Sequence, residues 1–530
     1  MTSFRAPLDD IFATQSLVTA GDHPAGYDSD TSVAVITEFA RFAEEQIAPL
    51  NVIGDQTGCR LTENGVEMPP AFQPVYHQLA EAGWQGLSTP EAFGGMGLDH
   101  MTAAGVSEIF SGACHALQMV CNLVPGAVAI LQNFASTDQK QRFIPPLSQG
   151  KCLSTMCLTE PGAGSDLSRI SCRAEQKDGG WLISGEKIFI SGGDQNISET
   201  ILHFVLARTG PQEKGLAALS LFACPKFSQG RPNKVTVLRV EDKLGIHASP
   251  TCHMRFENAH AELIGNEGDG LAAMFTLMNH ARLDVALQGV AHAQRAYDLC
   301  RQYADDRKQG RNPDKTPARL SDHADVKRML DEQRVLALGG RAMCYHTLHL
   351  IETGADPDLV EFLTPLCKFF CSEAGIRAAD LGIQIFGGYG YLKDYPIEQV
   401  WRDARITAIY EGANGIHARA MVTRNLRIDQ GRAADHFIKL VEGLANQDVT
   451  LSPWIKRWKD LRHVIAGSNE PEVYGHDFTQ LSAHLFFRSL WIDLSKKPYH
   501  TPIFSASLAA FACHLAWPVR ATGWSDNPPE

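Results

Sequence analysis

One carboxylate is set apart by its neighbours. In RDARITAIYEGANGIHARA (residues 402–420) Glu411 stands between Tyr410 and Gly412, with Ile409 before it and a second glycine at 415. A carboxylate withdrawn from water has a raised pKa and becomes a stronger base toward a weakly acidic carbon. A loop glutamate paired with Arg402 or Arg405 fits the same letters, so the residues alone leave both readings open.

Three other stretches carry groups suited to binding. MCLTEPGAGSD (residues 156–166) offers the hydroxyls of Thr159 and Ser165, and its glycines at 162 and 164 let backbone approach a ligand closely. Such a run suits a phosphate or a polar ring edge, and an ordinary glycine turn would look the same. It is not a dinucleotide fingerprint, because Leu167 occupies the place of the third glycine and no strand–helix–strand unit surrounds it. GEKIFISGG (residues 185–193) reads most simply as a buried strand entering a turn at Ser191, with Phe189 laid against a flat aromatic ligand as the alternative. RKQGR (residues 307–311) closes a long helical pattern, where cations complement the negative helix end. Grip on a pyrophosphate by Arg307 is the rival reading. Neither HExxH nor GxSxG occurs, and no metal-ligand spacing is found among the 20 histidines. Hydrolase and metalloenzyme chemistry therefore lack their parts.

Helical periodicity covers residues 30–150, broken by the glycine-rich STPEAFGGMGLDH (residues 88–100). From about 157 to 263 the texture changes to short β-type runs bounded by Gly, Asn, Asp and Pro, with no long helix between them. That predicts an antiparallel all-β unit. Long amphipathic patterns return from about 270 and predict a bundle, followed after 430 by a weaker helical region with Trp454, Trp458, Trp491 and Trp517.

At 530 residues the chain exceeds one typical core. Its formal net charge of −12 speaks against nucleic acid as a partner, and no apolar run is long enough to span a bilayer. Thirteen cysteines without a CxxC pair read as free thiols in a reducing, cytoplasmic setting.

Taken in order, MCLTEPGAGSD, GEKIFISGG, DKLGIHASPTC, NHARLDVALQGVAHAQRAY, RKQGR, QIFGGYGYLKDYPIE and RDARITAIYEGANGI resemble the motif set of the acyl-CoA dehydrogenases. The likeness covers about residues 30–430, and APLNVIGDQTGCRL with the C-terminal extension is similar to the 3-methylmercaptopropionyl-CoA dehydrogenase branch. The resemblance implies an α+β multidomain chain. Its parts would be an N-terminal helical domain (1–155), a central antiparallel β-barrel or sandwich (156–270), a C-terminal four-helix bundle (271–430) and a helical extension (431–530).

It further implies FAD as cofactor and an acyl-CoA, such as 3-(methylthio)propanoyl-CoA or another short or medium chain, as substrate. Glu411 would be the base for the alpha proton, with hydride passing to flavin N5. Met156, Leu158, Thr159 and Gly164 would lie at the flavin, Ser165 toward its pyrophosphate and the substrate, and Phe189 and Ser191 behind the ring. Arg307 and residues 384–388, including Gln384 and Gly388, would reach the adenine half of FAD in a neighbouring subunit. That arrangement implies a homodimer. Arg282, Tyr410 and Gly412 would line the substrate, and an electron-transfer flavoprotein would take the electrons.

Ala413 departs from the threonine frequent after the base, and Gly415 from a frequent glutamine. Small residues near a flavin keep an oxidase or monooxygenase reading in view. An alkylation-response-type protein would need a basic C-terminal region, and residues 431–530 hold ten Lys+Arg against ten Asp+Glu.

Overall fold

The computed structural model describes residues 3–19, 28–177, 180–228, 230–446, 448–497 and 507; the expected Trp517 and the tail around it lie outside them. The chain divides into two compact units, one of Ser3–Ala6 and Asp30–Asp284, the other of Met1–Thr2, Pro7–Ser29 and Val285–Glu530.

The first unit sets helices beside a sheet. Its helices include Ser29–Phe42, His100–Cys121, Leu123–Phe134 and Thr137–Ser148. Asp99 starts the second of these by accepting from the Thr102 amide at 2.8 Å. A reciprocal pair between Ser136 and Gln139 starts the last. Helix Thr137–Ser148 is then tied to the sheet: Arg142 grips Glu262 with two nitrogens at 2.9 and 2.6 Å, and Gln139 donates to the Leu263 carbonyl at 3.0 Å.

The sheet has seven strands, and its hydrogen-bond ladder closes on itself. Thr251–Ile264 pairs with Gly180–Ser191, which pairs with Arg173–Lys177. That strand touches Thr200–Arg208, and Leu219–Pro225 bridges from there back to Thr251–Ile264. The ring is a small barrel, as expected for the central region. The expectation of purely antiparallel pairing is corrected, because Cys152–Cys157 runs parallel to Thr200–Arg208 from Cys152↔Thr200 to Cys157↔Val205. A parallel pair needs a long crossover. Here the hairpin formed by Arg173–Lys177 and Gly180–Ser191 supplies it.

The second unit is helical. Gly270–Asp306 enters it from Val285 onward and meets Ala324–Thr353 and Pro357–Phe386. Close crossing is possible because both crossing residues lack a side chain. A Cβ on Gly289 would stand 2.2 Å from the Cys371 carbonyl oxygen, and one on Gly375 would stand 2.6 Å from that of Gly289. The extension adds Arg432–Ala445, Ser452–Gly467 and Gly475–Lys496, which bury Trp458 and Trp491 completely. Gly475–Lys496 seats itself on Ala324–Thr353 at another glycine, since a Cβ on Gly339 would meet Phe487 at 2.1 Å and the Trp491 indole nitrogen at 2.3 Å. The first helix, Leu8–Thr19, also joins this unit. Asp10 takes both terminal nitrogens of Arg334, and Lys497 donates to the Leu17 carbonyl at 2.6 Å. No single described helix is long and apolar enough to cross a membrane.

Candidate active site

Glu411 follows the short helix Ile397–Ala404 and a helical turn at Arg405–Ala408, and precedes the helix Asn414–Ala420. Its backbone is left-handed, with φ of 54°, and Gly412 continues at 92°. For a residue with a side chain that conformation costs on the order of 1–3 kcal/mol, so the surrounding structure must impose it. Two buried side chains do so. His417 places Nε2 3.2 Å from the Glu411 carbonyl, and the Lys368 ammonium donates to the Gly412 carbonyl at 2.8 Å and to Asn414 Oδ1 at 2.9 Å. Asn414 in turn donates to Glu373 at 2.8 Å. Only glycine fits at 412, where a Cβ would press on His417 Nε2 at 2.7 Å.

Tyr410 donates its hydroxyl to the buried Gln288 of Gly270–Asp306. Arg402 grips Glu398 one turn back at 2.6 and 2.9 Å, and Arg405 is exposed.

The same unit gathers the expected adenine-side residues. Arg307 leaves the helix end and lays its guanidinium over the Tyr389 ring, 5.3 Å from the centroid. This is a cation–π contact made at the helix end. Gln384 and Gly388 lie exposed next to that tyrosine, and Gly388 has open space where a Cβ would be.

The first unit gathers the glycine loop and Phe189. The Ile188 amide donates to the Thr159 carbonyl at 2.9 Å, which brings residues 156–166 alongside strand Gly180–Ser191. Met156, Leu158 and Thr159 are half-buried, whereas Gly164 and Ser165 are exposed. A Cβ on Gly162 or Gly164 would meet nothing within 4 Å, so the backbone at these two glycines is open to a ligand, while Ala163 between them is buried. Phe189 corrects the simple reading of its strand. It is 60% exposed, its φ is 59°, and it falls where the register shifts between Cys252 and Met254. A β-bulge there turns the ring outward. Ser191, beyond the bulge, pairs with Thr251 at the strand end. Arg282 is half-buried on Gly270–Asp306, six residues before Gln288.

Sequence reasoning missed the groups that hold these loops. Lys187 and Glu160 form an ion pair at 2.8 Å with side chains 0% and 2% exposed. The lysine also donates to the carbonyls of Leu158 at 3.0 Å and Leu206 at 2.7 Å. Burial works to raise the Glu160 pKa, but the charge and hydrogen bond of Lys187, together with donors from Ser171, carry it below the ordinary carboxylate value. A signal existed: Lys187 is in phase, two by two, with the buried Ile183. Lys368 left a similar trace as the one charge in FLTPLCKFFCS (residues 362–372).

Among the described residues Asp356, Asp358 and His436 are close enough to hold a cation. Asp356 caps Pro357–Phe386 through Leu359 and meets His436, and Asp358 grips Arg432, so each group already has structural employment.

Residues 29–151, 155–259 and 268–426 match, in order, the family models for the N-terminal, middle and C-terminal domains of acyl-CoA dehydrogenase. Over 464 residues the chain is 40% identical to 3-methylmercaptopropionyl-CoA dehydrogenase of Ruegeria pomeroyi, an alignment covering 83% of this chain and 79% of that protein. Two solved structures share the fold along almost the whole chain. Caenorhabditis elegans ACDH-11 in complex with C11-CoA has a TM-score of 0.81 at 18% identity, covering 97% of this chain and 91% of the other. A Bacillus anthracis acyl-CoA dehydrogenase complexed with FAD has a TM-score of 0.76 at 21% identity, covering 94% and 89%.

Proposed function

This chain belongs to the acyl-CoA dehydrogenase family of FAD-dependent enzymes, and from that premise we propose that Glu411 is the base that removes the proton alpha to the thioester carbonyl. The observation that carries the assignment is the left-handed backbone at Glu411, held by buried donors on its own carbonyl and on that of Gly412. Strain of this kind persists where surrounding groups over-determine a conformation, as at active sites.

The open backbone at Gly162 and Gly164, the exposed Phe189 ring and the hydroxyls of Thr159, Ser165 and Ser191 fit a flavin with a pyrophosphate tail. When bound, FAD supplies the acceptor for the hydride leaving the beta carbon. In this reading Phe189 gives a flat face, Met156, Leu158, Thr159 and Gly164 lie at the flavin, and Ser165 reaches the phosphates. Glu411 holds the proton at a carboxylate oxygen, and its own amide donates to the thioester oxygen, where negative charge develops during deprotonation. Arg282, Tyr410 and Gly412 orient the thioester.

Arg307, Gln384 and Gly388, on the exposed face beside Tyr389, take the adenine half of a cofactor from a second copy, which makes the enzyme a homodimer. Residues 1–155, 156–270, 271–430 and 431–530 serve as its four functional parts. The acyl group is short, with 3-(methylthio)propanoyl-CoA first in line because of the 40% identity to that dehydrogenase. An electron-transfer flavoprotein takes the electrons. The described cysteines, all free thiols, suit a reducing cytoplasm.

Glu411→Gln retains FAD, with its visible absorbance, and loses acyl-CoA-dependent bleaching by at least about a hundredfold, the usual span of a general base. Bleaching at near wild-type rate in that variant rejects the assignment. Anaerobic titration with 3-(methylthio)propanoyl-CoA, butyryl-CoA and octanoyl-CoA identifies the acyl preference.

A further inference from the structure

The geometry points to Lys368 and His417 as positioning residues for the base, an inference that rests on Glu411 having that role. Neither was distinguished by the reading of the motifs, and both are buried. Their bonds converge on one short piece of backbone. His417 reaches the carbonyl of Glu411, and Lys368 reaches the carbonyl of Gly412 and the side-chain oxygen of Asn414. The pinned residues are the two with φ of 54° and 92°.

Left to local preference, a glutamate leaves the left-handed region, because its Cβ crowds its own carbonyl there. Rotation of the 411 and 412 peptides would swing the carboxylate by several ångströms, and an error near 1 Å already costs about a hundredfold in a proton transfer. Lys368 comes from Pro357–Phe386, a long helix of the bundle, and His417 from the helix that follows the turn. The turn is thus clamped from two elements. Lysine suits this role because one ammonium has three donors to share between a carbonyl and an amide oxygen. Asn414, which takes one of the lysine's bonds on its side-chain oxygen, passes the contact on by donating to Glu373.

The test is stopped-flow flavin reduction by acyl-CoA in the FAD-loaded full chain, with unlabelled and alpha-deuterated substrate. Lys368→Met keeps the volume and removes both bonds. Its rate per bound flavin should fall at least tenfold, with acyl-CoA affinity within threefold of wild type and a larger alpha-deuterium isotope effect. A purely structural role would lower the yield of loaded protein and leave rate per flavin and isotope effect unchanged, and that result overturns the inference. If Lys368→Met does not retain FAD, His417 decides. His417→Leu should lose tenfold or more, and His417→Gln, which restores a donor at the same reach, should recover most of the rate. Equal wild-type rates in both His417 variants also overturn it. Glu411→Gln is run alongside: bleaching in that variant rejects the base itself, whereas a dead Glu411→Gln beside wild-type Lys368 and His417 variants rejects only the clamp.

Discussion

Replacing Lys187 by Met should destabilise the sheet-bearing unit more than any other single change near the glycine loop. The side chain is wholly buried and its ammonium serves three acceptors: Glu160 at 2.8 Å, the Leu206 carbonyl at 2.7 Å and the Leu158 carbonyl at 3.0 Å. Methionine fills the volume but strands the Glu160 carboxylate, which keeps only donors from Ser171 and Cys172. Breaking a buried pair by removing one partner costs about 3–5 kcal/mol. For a unit of this size each kcal/mol moves the melting temperature by about 2–4 °C, so a fall of roughly 6–20 °C is expected at neutral pH.

The pH dependence follows from the direction of the Glu160 shift. With a folded pKa below its ordinary 4.5, the wild-type group contributes stability that is full above that value and is lost as pH falls through the folded pKa. Without Lys187 the burial contribution dominates and raises the folded pKa. The variant then loses stability as pH rises past the unfolded value, and the gap between the two proteins widens from about pH 4 toward pH 7. Melting followed by tryptophan fluorescence across that range measures the gap. Lys187→Met combined with Glu160→Gln should recover at least half of the loss, because the stranded charge is gone. A melting temperature within about 2 °C of wild type at pH 7, or a gap that ignores pH, refutes the reasoning.

Phe189→Gly should raise thermal stability by up to about 1 kcal/mol, since glycine carries no penalty for the left-handed backbone and an exposed ring packs against little. The same variant should weaken FAD binding roughly threefold to tenfold through loss of ring stacking, read by cofactor release on dilution. Gly339→Leu should force Gly475–Lys496 off the bundle, because even a Cβ there meets Phe487 and Trp491 at 2.1 and 2.3 Å. Overpacking of this sort costs about 1–3 kcal/mol, and a red shift in tryptophan emission would report the exposure of Trp491.

The sequence by itself carried the order of helices, strands and helices, because hydrophobic period distinguishes the two kinds of element within a short window. It also carried the motifs, so Glu411, Phe189 and the glycine loop could be singled out before any coordinate was known. Several features were decided only when distant residues met. The parallel partner of Cys152–Cys157 lies about 50 residues downstream, beyond the reach of any local pattern. Leu8–Thr19 falls in the stretch expected to be the N-terminal domain, and the Asp10–Arg334 and Leu17–Lys497 contacts assign it to the bundle. Phe189 has the letters of a buried strand residue, yet a bulge against Thr251–Ile264 turns it outward. Lys187 and Lys368 each look like a polar interruption in an apolar run. Their roles appear when the chain folds, because a buried ammonium needs acceptors, and carbonyls from separate segments provide them.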